Sequence, residues 1–129
     1  MELTARDLAK FGLLYLNDGA WKEEQVVPEK WVQQSLQTYT EDAWDYRVGR
    51  NFTDMGYGYQ WWSGRAGDHD FNFAWGHGGQ VIALVEEFDT VIVVTTDPQY
   101  EPQGGDSSWK TEKKNLNLLG DFIASLPSK

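Results

Sequence analysis

Two apolar runs separated by three residues constrain this chain most. Residues 73–86 alternate large apolar with small or polar side chains around a glycine cluster, and residues 90–96 contain the β-branched series Val91, Ile92, Val93 and Val94. Glu87-Phe88-Asp89 is all that joins them. β-branched side chains suit the pleated surface of a strand. A three-residue link is too short for the crossover that parallel neighbours require, so the two strands must pair antiparallel. The rest of the chain has to cover that hairpin.

Helical spacing supplies the cover. Thr4 with Asp7 makes a capping-box-like start, and Leu8, Phe11, Gly12, Leu14 and Tyr15 follow on one face until Asn17-Asp18-Gly19 stops the helix. Residues 21–27 suggest a short turn or hairpin. Pro28 then opens a second helix at its first position, with Trp31, Val32, Ser35 and Leu36 facing inward. Residues 40–53, with rings at Trp44, Tyr46 and Phe52, suggest a long surface loop. The aromatic alternation of residues 57–62 predicts a strand, residues 64–70 a turn, and residues 98–105 a loop. A last helix starts near Ser107 or Ser108 and carries Trp109, Leu116, Leu119, Phe122, Ile123 and Leu126 on one stripe. The order is α-α-β-β-β-α, which is α+β with an antiparallel sheet and flanking helices in a single domain over residues 1–129. Three strands are few for so many large apolar residues, so the sheet is expected to continue in a segment outside this chain.

Composition narrows the function classes. The net charge is −9, and no run clusters Lys and Arg as displacing counterions from nucleic-acid phosphates would need. Nucleic acid and anionic membrane surfaces are therefore poor partners. There is no Cys, which removes disulfides, thiolate nucleophiles and thiolate metal sites. No stretch has the apolar length of a membrane span. The opening residues lack the basic-then-apolar pattern of a signal peptide. Aromatic residues make up 15% of the chain, which points either to a core and cleft rich in rings or to a stacking surface for sugars.

The most informative string is Trp75-Gly76-His77-Gly78-Gly79-Gln80, placed within the predicted 73–86 strand. Glycine inside a strand weakens it and often marks close approach by another group. A histidine between such glycines can present its imidazole to whatever approaches.

The chain resembles the C-terminal portion of class C β-lactamase-like and penicillin-binding-protein-like serine hydrolases. The resemblance is carried by residues 3–12 and Asn17-Asp18-Gly19, then Tyr57-Gly58-Tyr59-Gln60-Trp61-Trp62, then His77-Gly78-Gly79, the hairpin to Thr96 and the closing helix, in that order. It implies a partial β-lactamase/transpeptidase-like fold. Members of this family use a Ser-x-x-Lys, a Tyr-x-Asn and a third triplet such as Lys-Thr-Gly or His-x-Gly. His77-Gly78-Gly79 matches the third. The resemblance then implies His77, Gly79 and Gln80 as catalytic: His77 beside the nucleophile, the glycines leaving room for the acyl group, and the Gln80 N–H as half of an oxyanion hole. Gly78, Tyr57 and Trp75 would lie against substrate. His in place of Lys and Gly in place of Thr remove the cation and hydroxyl that hold a β-lactam carboxylate. An ester, amide or D-amino-acid peptide is therefore favoured as substrate. No cofactor and no metal are implied, and a periplasmic or secreted location would follow from the family.

Other strings resemble motifs only by spelling. Ser107-Ser108-Trp109-Lys110 has the Ser-x-x-Lys pattern but lies after the His77 motif, and a serine there is explained by helix capping. In Tyr15-Leu16-Asn17 the tyrosine is expected in the core and the asparagine at the helix stop. Asp68-His69-Asp70 suggests a solvated turn, because two histidines are too few for a metal site. Glu23-Glu24 and Glu86-Glu87 suggest solvated turns too. The expected function is thus a C-terminal hydrolase piece, inactive by itself, that needs the N-terminal part of its domain. Its sheet edge should make the isolated chain self-associate. The alternative is a stand-alone module that binds sugars or flat ligands through Tyr57, Tyr59, Trp61, Trp62 and Trp75.

Overall fold

Helix α1 spans Ala5–Leu16 in the computed structural model, which describes residues 2–44, 48–97 and 108–129. The Thr4 hydroxyl accepts the Asp7 backbone N–H, and the Asp7 carboxylate accepts the Thr4 N–H, so each end of the box satisfies an otherwise orphaned donor. The hydrogen bond from Thr4, aided by Lys10, lowers the Asp7 pKa to about 2. Asn17 closes the helix, and Gly19 follows at φ +84 with its N–H on the Leu14 carbonyl. Tyr15 is buried, as its place on the apolar stripe requires.

Strands β1 (Ala20–Trp21) and β2 (Glu24–Gln25) form the short hairpin. Helix α2 spans Glu29–Leu36 with Pro28 as its N-cap, one position earlier than expected. The ring sets φ, but ψ is 130, so Pro28 is still extended while its carbonyl accepts the Trp31 N–H. Val32 and Ser35 face inward, whereas Trp31 is exposed and packs against Tyr59.

The main sheet has five antiparallel strands in chain order, where three were expected: β3 (Phe52–Tyr57), β4 (Trp62–Ala66), β5 (His69–Gly76), β6 (Gln80–Val85) and β7 (Thr90–Val94). The predicted strand over 57–62 is a turn between β3 and β4. Gly58 there lies so close to the Ser35 and Gln37 carbonyls that a Cβ would overlap them, and Gln60 takes φ +65. The predicted turn over 64–70 is mostly strand, with Phe71 and Phe73 buried on the face that His69 shares. The predicted 73–86 strand breaks at residues 77–79. Val48 and Phe52, placed in a surface loop by the sequence reading, are core residues, and Thr40 bridges Tyr57. Tyr46 and the 98–105 loop lie outside the described residues.

Helix α3 spans Ser108–Ala124. Leu116, Leu119 and Ile123 are buried as expected, while Trp109 and Phe122 are exposed. The sheet lies between two helical layers. Phe52, Phe71, Phe73, Val81, Ala83 and Val85 meet α3, and Ile82 and Leu84 meet Tyr15, Val32 and Trp61 on the α1 and α2 side. This alternation along β6 explains why Val81, Ile82, Ala83, Leu84 and Val85 are all buried.

Candidate functional site

His77, Gly78 and Gly79 form the turn between β5 and β6, and Gly76 pairs with Gln80 at its base. The strand setting expected for this string is therefore corrected: Gly78 and Gly79 have φ +91 and +92, which a continuous strand cannot accommodate. Gly79 is confined as well. A Cβ there would come within 2.9 Å of the Asn115 amide nitrogen, 3.2 Å of the Thr96 hydroxyl and 3.3 Å of the Glu112 Cα.

Three side chains from other parts of the fold hold this turn. The Gly78 N–H donates to Glu112 Oε1 at 2.7 Å, the Thr96 hydroxyl donates to the Gly78 carbonyl at 2.6 Å, and the Asn115 Nδ2 donates to the Gly79 carbonyl at 3.2 Å. Asn115 also reaches the Thr96 hydroxyl at 3.3 Å. Glu112 is only 4% exposed. His77 is the opposite: its side chain is 88% exposed, with Nδ1 3.3 Å from the same Glu112 oxygen. With the Gly78 N–H on Glu112 and the Gly79 N–H on the Gly76 carbonyl at 3.1 Å, both glycine amides are occupied.

Beside the turn a cleft of about 480 Å³ runs under α1, lined by Leu8, Tyr57, Gln60, Trp62, Ala74, Trp75, Gly76, Gln80, Val81 and Ile82. It brings together Tyr57, Trp75 and Gln80. His77, Gly78 and Gly79 sit at its end through their bonds to Gly76 and Gln80 and do not line it. The Trp75 ring belongs to the α3 side of the sheet, where its centroid is 5.8 Å from Trp109, 5.9 Å from Trp44 and 6.0 Å from Trp62. Its indole N–H is buried and has no acceptor among the described residues.

Asp68 is in an exposed turn and Asp70 is exposed, as expected, but the histidine between them is not solvated. His69 is buried, with Nδ1 2.8 Å from Glu87 Oε2 and Nε2 3.0 Å from the Leu126 carbonyl. Glu86 and Glu87 are exposed in the short helical turn between β6 and β7, as expected, but Glu87 turns its carboxylate onto the buried ring in a part-buried pair. Both ring nitrogens face oxygens that accept, so the charged imidazolium fits. The Glu87 hydrogen bond first, then the Leu126 carbonyl, raise the His69 pKa above its ordinary 6.5 against the opposing effect of burial. His69 and His77 stand at opposite ends of β5, about 26 Å apart at the rise of an extended strand. Among the described residues no three His, Asp or Glu side chains converge as metal ligands would.

Compared with known proteins, the chain matches no family model and no curated sequence. The assignment of chemistry therefore rests on residues and geometry. Ser107 lies outside the described residues. Tyr15 and Asn17 act as core residue and helix cap. Glu112, Asn115 and Thr96 went unremarked in the sequence, although one signal was present: Glu112 stands four residues before Leu116 on the buried stripe of α3, where a carboxylate needs a partner.

Proposed function

We propose that the chain is the C-terminal part of a serine hydrolase related to the class C β-lactamases, acting by acyl transfer through a serine ester with water as final acceptor. A preceding segment of the same domain supplies the Ser-x-x-Lys nucleophile and base and the Tyr-x-Asn phenol. His77 stands beside the reacting centre as a hydrogen-bonding partner, the Gln80 N–H forms half of the oxyanion hole, and Tyr57 and Trp75 line the cleft that would take the substrate. Gly79 gives its room to Asn115, Thr96 and Glu112, which leaves Gly78, beside the Gln80 side chain alone, as the glycine against which the acyl group would lie.

The observation that carries this reading is the clamped His-Gly-Gly turn at the end of a cleft. A turn held at three atoms by Glu112, Thr96 and Asn115 is preorganised, and preorganised dipoles stabilise developing charge without having to reorient during the reaction. With both glycine amides occupied, the Gln80 N–H is the next backbone donor along the strand. The triplet has neither a fixed cation nor a hydroxyl, so a neutral ester, amide or D-amino-acid peptide fits better than a β-lactam carboxylate.

The stand-alone stacking module is less well supported. Of its five rings, Trp61 is buried, and Tyr57, Trp62 and Trp75 are half-buried among other rings, leaving Tyr59 alone exposed.

Fluorophosphonate labelling with nitrophenyl-ester hydrolysis tests the proposal. The chain alone should neither label nor turn over. Joined to the region encoded upstream of it, it should label at the serine of a Ser-x-x-Lys, and His77→Ala should then lower kcat by roughly a hundredfold. Labelling of the chain alone, or an upstream region without that motif, overturns it.

A further inference from the structure

We propose that two copies of this chain join along β7, extending one antiparallel sheet across a two-fold axis at Ile92. The two sheet edges differ in a way that selects this one. At the β3 edge the register shifts between Thr53 and Gly56, Asp54 takes φ +53, and exposed Thr53 and Asp54 interrupt the strand. Bulges and edge charges of this kind are what keep strands from pairing with outside chains. At the other edge β7 pairs only with β6 among the described residues, in unbroken register, and carries no charge, proline or bulge.

The helices extend that apolar edge above and below the sheet. On α3, Gly120, Asn117 and Asp121 turn toward Phe52, Arg50 and Asn51 beside β3. The helix period then puts Leu118 and Phe122 on the opposite flank, the one from which Asn115 reaches Thr96, just past β7. They are 64% and 50% exposed. On α1, which packs over β7 through Gly12 and Val91, Phe11 points toward Trp61, and the exposed Leu13 falls on the flank turned away from it.

A second copy fits this edge because the strand is self-complementary. Antiparallel pairing about Ile92 sets Ile92 opposite itself, Val91 opposite Val93 and Thr90 opposite Val94, each pair on a shared face. Asp89 then falls opposite Thr95, so no like charges meet along the strand. Such β-branched cross-strand pairs are favourable. The operation is isologous: α1 meets α1, and α3 meets α3 with the two Leu118–Phe122 patches in contact. A strand about 17 Å long, in a helix–sheet–helix section about 25 Å thick, buries roughly 900 Å² in total over both copies. That is below the usual size of a stable interface, so the dimer should be weak and reversible. Each copy carries a net charge of −9, so added salt should tighten the dimer by screening repulsion. Under the hydrolase reading this same β7 edge is where the preceding segment would continue the sheet, so the dimer belongs to this chain without that segment. Sedimentation of the chain decides the dimer, and labelling of the joined protein decides the hydrolase separately.

Sedimentation of the full chain across the micromolar range tests it, with amide NMR at several concentrations. The expected result is a monomer–dimer equilibrium tightened by salt, with concentration-dependent shifts at Thr90–Val94. The Leu118→Lys, Phe122→Lys double variant should weaken it at least about tenfold, with circular dichroism confirming the fold, and Trp31→Lys should leave it unchanged. If the double variant does not fold, the wild-type shifts and salt response decide. A monomer throughout, shifts absent from β7, or association lost with Trp31→Lys but kept in the double variant would overturn the proposal.

Discussion

At His69 the charge state of one ring decides how the C-terminal segment is held. Nδ1 and Nε2 each face an oxygen, so losing a proton sets a lone pair against either Glu87 or the Leu126 carbonyl. Because the folded pKa is raised, this contribution to stability is fully present below the unfolded value of about 6.5 and is lost as pH rises through the folded pKa. Denaturant unfolding should therefore show stability declining above pH 6.5, and His69→Phe should flatten that slope. A slope unchanged in His69→Phe would assign it to other groups. The alternation with Phe71 and Phe73 placed His69 on a buried face, but nothing local revealed Glu87 or Leu126, which lie 18 and 57 residues away.

Among the elements, the join between α3 and the β5–β6 turn is the one the site depends on. Glu112→Ala strands the Gly78 N–H and should cost about 1–3 kcal/mol. Glu112→Gln keeps an acceptor and should lose less. Amide exchange at Gly78 separates the two, because only the alanine variant should speed it greatly; equal exchange in both would mean that the carboxylate does not hold the turn. The helices were legible in sequence, since their apolar stripes repeat every three to four residues and Thr4 and Asn17 mark the ends of α1. The strand boundaries were not. Aromatic alternation runs through Tyr59 and Trp61 although the chain reverses there, because the turn packs its rings against α1 and α2 as a strand would.

For the whole molecule, burial together with pairing on both sides singles out β5 and β6 as the most stable part, with β6 buried on both faces and β5 on the face of Phe71 and Phe73. Hydrogen exchange should be slowest across Phe71–Phe73 and Val81–Val85 and fast in β1 and β2, which bury little. Faster exchange in β6 than in α1 would contradict the three-layer packing. The sequence by itself determined the helices, the antiparallel hairpin that ends in β7, the α+β class and the His-Gly-Gly string, all of which follow from short-range periodicity and from the limits of a three-residue link. Only the tertiary structure decided that the string is a turn rather than a strand, that Glu112, Thr96 and Asn115 converge on it, and that, among the described residues, one sheet edge is guarded while the other is bare. Those are contacts between residues far apart in the chain, set by how the layers close over one another, and no local pattern encodes them.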